Sequence, residues 1–210
     1  MGKGGRLRKQ RAAGAATDAH ASLLAAVELI GYSYGAYADC AAASAMLVLT
    51  GRHLSYELTP RPVSLLARQR STDDLAFMGP RATALVPEHD HDRVENFRPG
   101  DPDEDTGHMV VTSENPLLML DANLGQLRGY GMQAPDALVI RIGDTTPENG
   151  RWVANAPDLE LVYLPDNNDA LWDRYQEGLH AMADDAAKLA ALIQAGRSTA
   201  SIRAMLRPRS

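Results

Sequence analysis

The spacing of apolar residues changes along the chain, and with it the element each stretch predicts. Leu23, Leu24, Val27, Leu29 and Ile30 recur three and four apart. That is the stripe of an amphipathic helix, with Thr17 or Asp18 as its N-cap and Gly31 as its stop. Residues 32–38 hold Tyr32, Tyr34 and Tyr37 and read as a loop. Asp39 caps a second, Ala-rich helix that begins at Cys40 and is stopped by Gly51. Leu54–Leu58 alternates like a strand, which Pro60 and Pro62 break, while 63–70 fits either a short helix or a strand. From 71 to 106 the chain is polar and rich in Pro, Asp and Gly. It predicts a long surface excursion, ordered in part at 75–78 and 82–86, of the kind that borders active sites. Alternation returns at 107–112, 117–121, 137–142 and 159–164, predicting strands, with a loop containing Gly125, Gly129 and Gly131 between the second and third. A helical period then runs from about 170 to 195, opened by Asp169. It places Leu171, Tyr175, Leu179, Met182, Ala186, Leu189 and Ile193 on one face, and Gly196 stops it. A short helix at 199–206 follows.

A length of 210 residues suits one domain with an ordinary core. Lys3, Arg6, Arg8, Lys9 and Arg11 make 1–16 a flexible basic tail. That leaves a single domain over 17–210, with its C-terminal helical segment at about 169–206. The net charge of -6 argues against nucleic acid as a partner of this body. Only the basic ends, including Arg203, Arg207 and Arg209, keep that reading open, and it predicts strongly salt-dependent binding lost on trimming both tails. One cysteine excludes an internal disulfide and points to a reducing cytoplasm. No uncharged apolar run is long enough to span a membrane, and Glu28 and polar residues interrupt the first candidate core of a signal peptide. Membrane partners are therefore not expected.

That one cysteine, Cys40, opens a helix, where the dipole and the first free backbone N–H groups stabilise a thiolate and offer part of an oxyanion hole. His108 and Asp121 lie on the first pair of downstream strands. If Ser113–Pro116 forms the turn, Thr112 faces Leu117 and His108 stands directly opposite Asp121, with Cβ atoms about 4.5–5.5 Å apart. An Asp so placed orients the imidazole and fixes its tautomer, and the imidazole in turn activates the thiol. A slip of one residue would put the two on opposite faces. Cys40, His108 and Asp121 are thus the candidate catalytic residues. Tyr34, Tyr37 and Gln126 are candidates for a second oxyanion donor, and no residue marks a substrate pocket. Each of the three has a plainer role available alone: a small buried hydrophobe, a core histidine, the start of a turn.

The pieces Asp39-Cys40 with its Ala-rich helix, Gly107-His108, and Leu120-Asp121-Ala122-Asn123-Leu124-Gly125-Gln126 resemble the papain-like, transglutaminase-like superfamily of cysteine enzymes. That group includes bacterial transglutaminase-like proteases and the arylamine N-acetyltransferases. The resemblance covers about residues 32–142. It implies an α+β fold with the Cys-bearing helix packed on an antiparallel sheet, and a Cys40–His108–Asp121 triad in thiol acyl transfer. The substrate would be a peptide or a small acyl compound. The chain departs from the pattern at Ala41, at Met109-Val110 and at Ala122-Asn123, positions that bear on the substrate. The rival reading keeps the fold as a non-catalytic interaction module in which Cys40 only packs.

Other chemistry-bearing stretches add little. Glu88-His89-Asp90-His91-Asp92 has metal-ligand residue types but no spaced partners, and reads as a solvated loop. Asp101-Pro102-Asp103-Glu104-Asp105 lacks the calcium-loop spacing and would edge the cleft against anionic substrates. Gly129-Tyr130-Gly131 lacks the context of a phosphate loop. No metal or cofactor is expected.

Overall fold

The structure, a computed structural model, describes residues 20–35, 39–81, 86, 88–93, 107–142 and 150–206, without the side chains of 91–93. The basic tail at 1–16, Tyr37, residues 82–85 and the acidic run at 101–105 lie outside the described residues.

Helix α1 (20–34) and helix α2 (Cys40–His53) come first. Both run past the glycines expected to end them. Gly31 and Gly51 are packing positions: a Cβ on Gly31 would lie 2.6 Å from the Cβ of Ala137, and one on Gly51 would overlap Leu58. A glycine that gives a neighbour room inside a helix carries the same letter as one that stops a helix.

The strands are β1 (Leu58–Gln69), β2 (Leu75–Met78), β3 (His108–Glu114), β4 (Leu117–Asp121), β5 (Leu138–Arg141), β6 (Trp152–Ala156) and β7 (Leu159–Pro165). All pairs among them are antiparallel, in the order β5-β4-β3-β1-β7-β6, and the sheet is nearly closed. β3 pairs with β1 over 58–63, and β2 takes the same edge over 65–68. The prolines expected to break β1 lie inside it. β7 pairs with β1 only from Val63 onward, so Pro60 and Pro62 occupy a stretch with one open side. The Pro62 carbonyl accepts from the Asp166 N–H on that side, so the missing proline N–H groups also face away from β3 and interrupt no ladder. β6 was not foreseen. It is short, its Val153 is exposed and its inward residues Ala154 and Ala156 are small, so β7 defines it more than its own pattern does.

Alternation along the strands makes two cores, one on each face of the sheet. Met109, Val111, Leu118 and Leu120 face α1, α2 and the C-terminal helices. Val63, Leu65, Val110, Met119, Leu161 and Tyr163 fill the inner side with Leu124 and Leu127. Those two leucines sit three apart on a 3-10 helix, Leu124–Tyr130, where a loop was expected; residues at that spacing share a face in this tighter helix. The fold is therefore α+β, with the Cys-bearing helix on an antiparallel sheet.

The C-terminal helix expected as one long element is broken. It divides into α3 (Asp169–Ala181) and α4 (Ala183–Gln194), with α5 (Thr199–Arg203) beyond. The break falls at Met182, which is buried and whose Sδ accepts the Tyr34 hydroxyl at 3.0 Å. Both halves pack on α2. One straight helix continues in one direction; two short ones follow the surface of α2.

Candidate active site

Cys40 is the first residue of α2. The Asp39 side chain accepts from the Ala42 N–H at 3.2 Å and sets the start of the helix there. Ser44, one turn on, donates to the Met109 carbonyl at 3.2 Å and ties α2 to β3. The Cys40 Sγ is 3.9 Å from the Gly107 carbonyl oxygen, immediately before His108. The thiol thus meets β3 at its first residue, where the positive end of the α2 dipole also lies.

The hairpin differs from expectation in register. Val111 pairs with Leu120 and Glu114 with Leu117, leaving only Asn115 and Pro116 as the turn. Ser113 and Glu114 look like turn residues, yet Ser113 also pairs with Leu58 of β1, which extends β3 past the local signal. The register moves by two residues from the one expected. Asp121 then stands opposite Val110, and His108 is its diagonal neighbour. Since side chains alternate with period two, a shift of two keeps both on one face. Their length closes the diagonal gap: His108 Nε2 and Asp121 Oδ2 are 2.9 Å apart, both residues fully buried.

The carboxylate of Asp121 is held from three directions. Oδ1 accepts from the Asn123 N–H at 3.0 Å. Oδ2 accepts from His108 Nε2–H and from the Tyr163 hydroxyl, the latter at 3.0 Å. The other ring nitrogen, Nδ1, meets the side-chain amide of Gln126 at 2.5 Å. A half-turn of that amide offers either its N–H to a neutral ring or its oxygen to an imidazolium. Gln126, one of the oxyanion candidates, is therefore engaged with the imidazole. Tyr34 donates to Met182.

Burial alone lowers the pKa of His108. The charge and hydrogen bond of Asp121, with a smaller contribution from the neighbouring Cys40, outweigh burial and raise it from 6.5 to about 10. The balance favours the protonated ring, which lies between the Asp121 carboxylate at Nε2 and the Gln126 amide at Nδ1. Burial, followed by the charge of Asp121, holds the Tyr163 hydroxyl well above its ordinary pKa, so it remains a donor. Chemically, the group can bind a proton next to a thiol and hold the acceptor ring in one orientation.

His108 and Asp121 meet as diagonal rather than facing neighbours, and the Cys40 Sγ lies against Gly107, the residue before His108. Tyr163, on β7, carries no sequence signal for a site; only the curvature of the sheet brings it to Asp121. Asn123 and Gln126 lie in the run after Asp121, but their bonds depend on the 3-10 turn there. Cys40 is 5% exposed. The Glu88–Asp92 stretch forms a 3-10 helix, Glu88–Arg93, with His89 Nε2 3.5 Å from Asp90 Oδ2. Among the described residues no three His, Cys, Asp or Glu side chains form a group able to hold a metal. Compared with family models, curated proteins and solved structures, the chain matches none of them.

Proposed function

We propose that this chain is a thiol-dependent acyl-transfer enzyme on a papain-like, transglutaminase-like fold, with Cys40 as nucleophile, His108 as acid and base, and Asp121 orienting His108. The observation that carries this reading is the buried His108–Asp121 hydrogen bond at 2.9 Å, with the Cys40 Sγ at the start of α2 lying 3.9 Å from the carbonyl oxygen of Gly107, the residue before His108. In the resting pair the proton sits on His108 and Cys40 is the thiolate, which attacks the carbonyl carbon of an amide, ester or thioester. As the tetrahedral adduct collapses, His108 returns that proton to the leaving group, leaving an acyl-thioester on Cys40. Water or an amine, deprotonated by His108, then displaces the sulfur. The N–H groups at the start of α2 are the candidate oxyanion donors. The substrate is a peptide or a small acyl compound, and a single cysteine suits a reducing compartment. Among the described residues no helix is long and apolar enough to cross a membrane.

The low exposure of Cys40 favours a second reading, an interaction module in which the same three residues serve packing alone. Iodoacetamide alkylation of Cys40 as a function of pH separates the two. An ordinary thiol of pKa about 8.5 is roughly 3% ionised at pH 7, so an activated thiolate should react about thirtyfold faster there. The enzyme reading expects this fast reaction to be lost in His108→Ala. Slow alkylation that follows an ordinary thiol in both proteins would establish the module instead.

A further inference from the structure

We infer that Tyr163 is a positioning residue of the site: its hydroxyl fixes the Asp121 carboxylate so that His108 Nε2–H keeps its acceptor. The inference concerns a fourth residue and rests on the reading of Cys40, His108 and Asp121 as one unit. Tyr163 O–H donates to Asp121 Oδ2 at 3.0 Å, and the same oxygen receives His108 Nε2 at 2.9 Å. The two rings are neighbours, with centroids 6.4 Å apart.

Tyr163 belongs to β7, whereas Asp121 ends β4, and β1 and β3 stand between those strands in the sheet. The contact spans the inside of the curled sheet, so it joins the two sides of that core directly at the site. Tyr163 is among the largest side chains that are fully buried. A fully buried phenol needs one acceptor, and Asp121 supplies it. The carboxylate needs several donors at so buried a place, and without Tyr163 only Asn123 N–H and His108 remain among the described residues. Asp121 is the last residue of its strand, so the ladder of β4 holds its backbone from one side only. The phenol then opposes rotation of the carboxylate away from Nε2.

Removing the hydroxyl frees the carboxylate to turn, and burial then acts on His108 with less opposition. The test compares the parent protein with Tyr163→Phe. Histidine labelled with 15N reports the titration midpoint of His108 by NMR. The expected result is a folded Tyr163→Phe variant whose His108 midpoint falls by about one unit or more. A midpoint that stays or rises in a folded variant overturns the inference. Should Tyr163→Phe fail to fold, protein made with 3-fluorotyrosine keeps the ring and strengthens the hydroxyl as a donor. A shifted His108 midpoint then supports the inference, and one identical to the parent overturns it.

The alkylation assay distinguishes this failure from failure of the proposed function. If Cys40 reacts fast only with His108 present, Tyr163→Phe should slow alkylation at pH 7 about tenfold or more, and should add nothing in a His108→Ala background. Equal slowing in both backgrounds would mean a structural role and overturn the inference. If alkylation of the parent ignores His108, the acyl-transfer reading fails, and the His108 midpoint alone still decides the role of Tyr163.

Discussion

At the scale of single residues, the His108–Asp121 pair couples the candidate site to stability. The His108 pKa is higher in the folded chain, about 10, than the ordinary 6.5 of an unfolded one. Folding therefore favours the protonated ring. Its contribution is fully present below about pH 6.5 and is lost as pH rises through about 10. Urea denaturation at pH 6, 8 and 10 should show stability falling across that window, and His108→Ala should flatten the fall. A parent protein with equal stability at the three values would contradict the protonated pair. Asp121→Ala should cost about 3–5 kcal/mol at pH 7, since it removes the ion pair and the acceptor of two buried donors, His108 Nε2–H and the Tyr163 hydroxyl. The sequence made the identity of this pair legible through the strand alternation of His108 and Asp121. It could not supply their hydrogen-bond partners, because Tyr163 is 42 residues from Asp121 and no local pattern spans that distance.

At the scale of elements, close approach to α2 decides the helical layer. The first half of α2 is Cys40-Ala41-Ala42-Ala43-Ser44-Ala45, small side chains that let a neighbour come near. Gly178 of α3 meets it there: a Cβ built on Gly178 would lie 2.9 Å from Ala45 Cβ. Gly178→Val should force α3 outward and cost about 1–3 kcal/mol, as overpacking does, read as a lower thermal midpoint. An unchanged midpoint would mean that α3 can slide on α2 freely. Element types were mostly legible from periodicity. Their ends were less so, because Gly31 and Gly51 answer to Ala137 and Leu58, and Met182 answers to Tyr34.

At the scale of the whole molecule, one sheet supports two cores. Leu120 and Met119 are consecutive on β4, both fully buried, and face opposite sides. Leu120→Ala and Met119→Ala should each cost about 2–5 kcal/mol. The two tryptophans report the two layers separately, Trp172 against the helical side and Trp152 against the inner side. In Trp152→Phe and Trp172→Phe proteins the remaining fluorescence should give one shared urea midpoint, unchanged in its agreement by either alanine substitution. Two distinct midpoints would show that the layers unfold independently.

By itself the sequence determined what short range controls. Asp39 caps the helix that starts at Cys40 because the cap lies three residues from the N–H it serves. His108 and Asp121 share a face because strand alternation and a short turn leave few other outcomes. The tertiary structure decided the rest. Pairing with β1 lengthened β3 and moved the hairpin register by two; the open side of β1 admitted Pro60 and Pro62; α2 divided the C-terminal helix; and the curl of the sheet carried Tyr163 to the carboxylate. In each case the deciding partner is distant in the chain. Local propensity is worth tenths of a kcal/mol per residue, whereas burial and buried hydrogen bonds are worth about one or more, so the distant partner prevails.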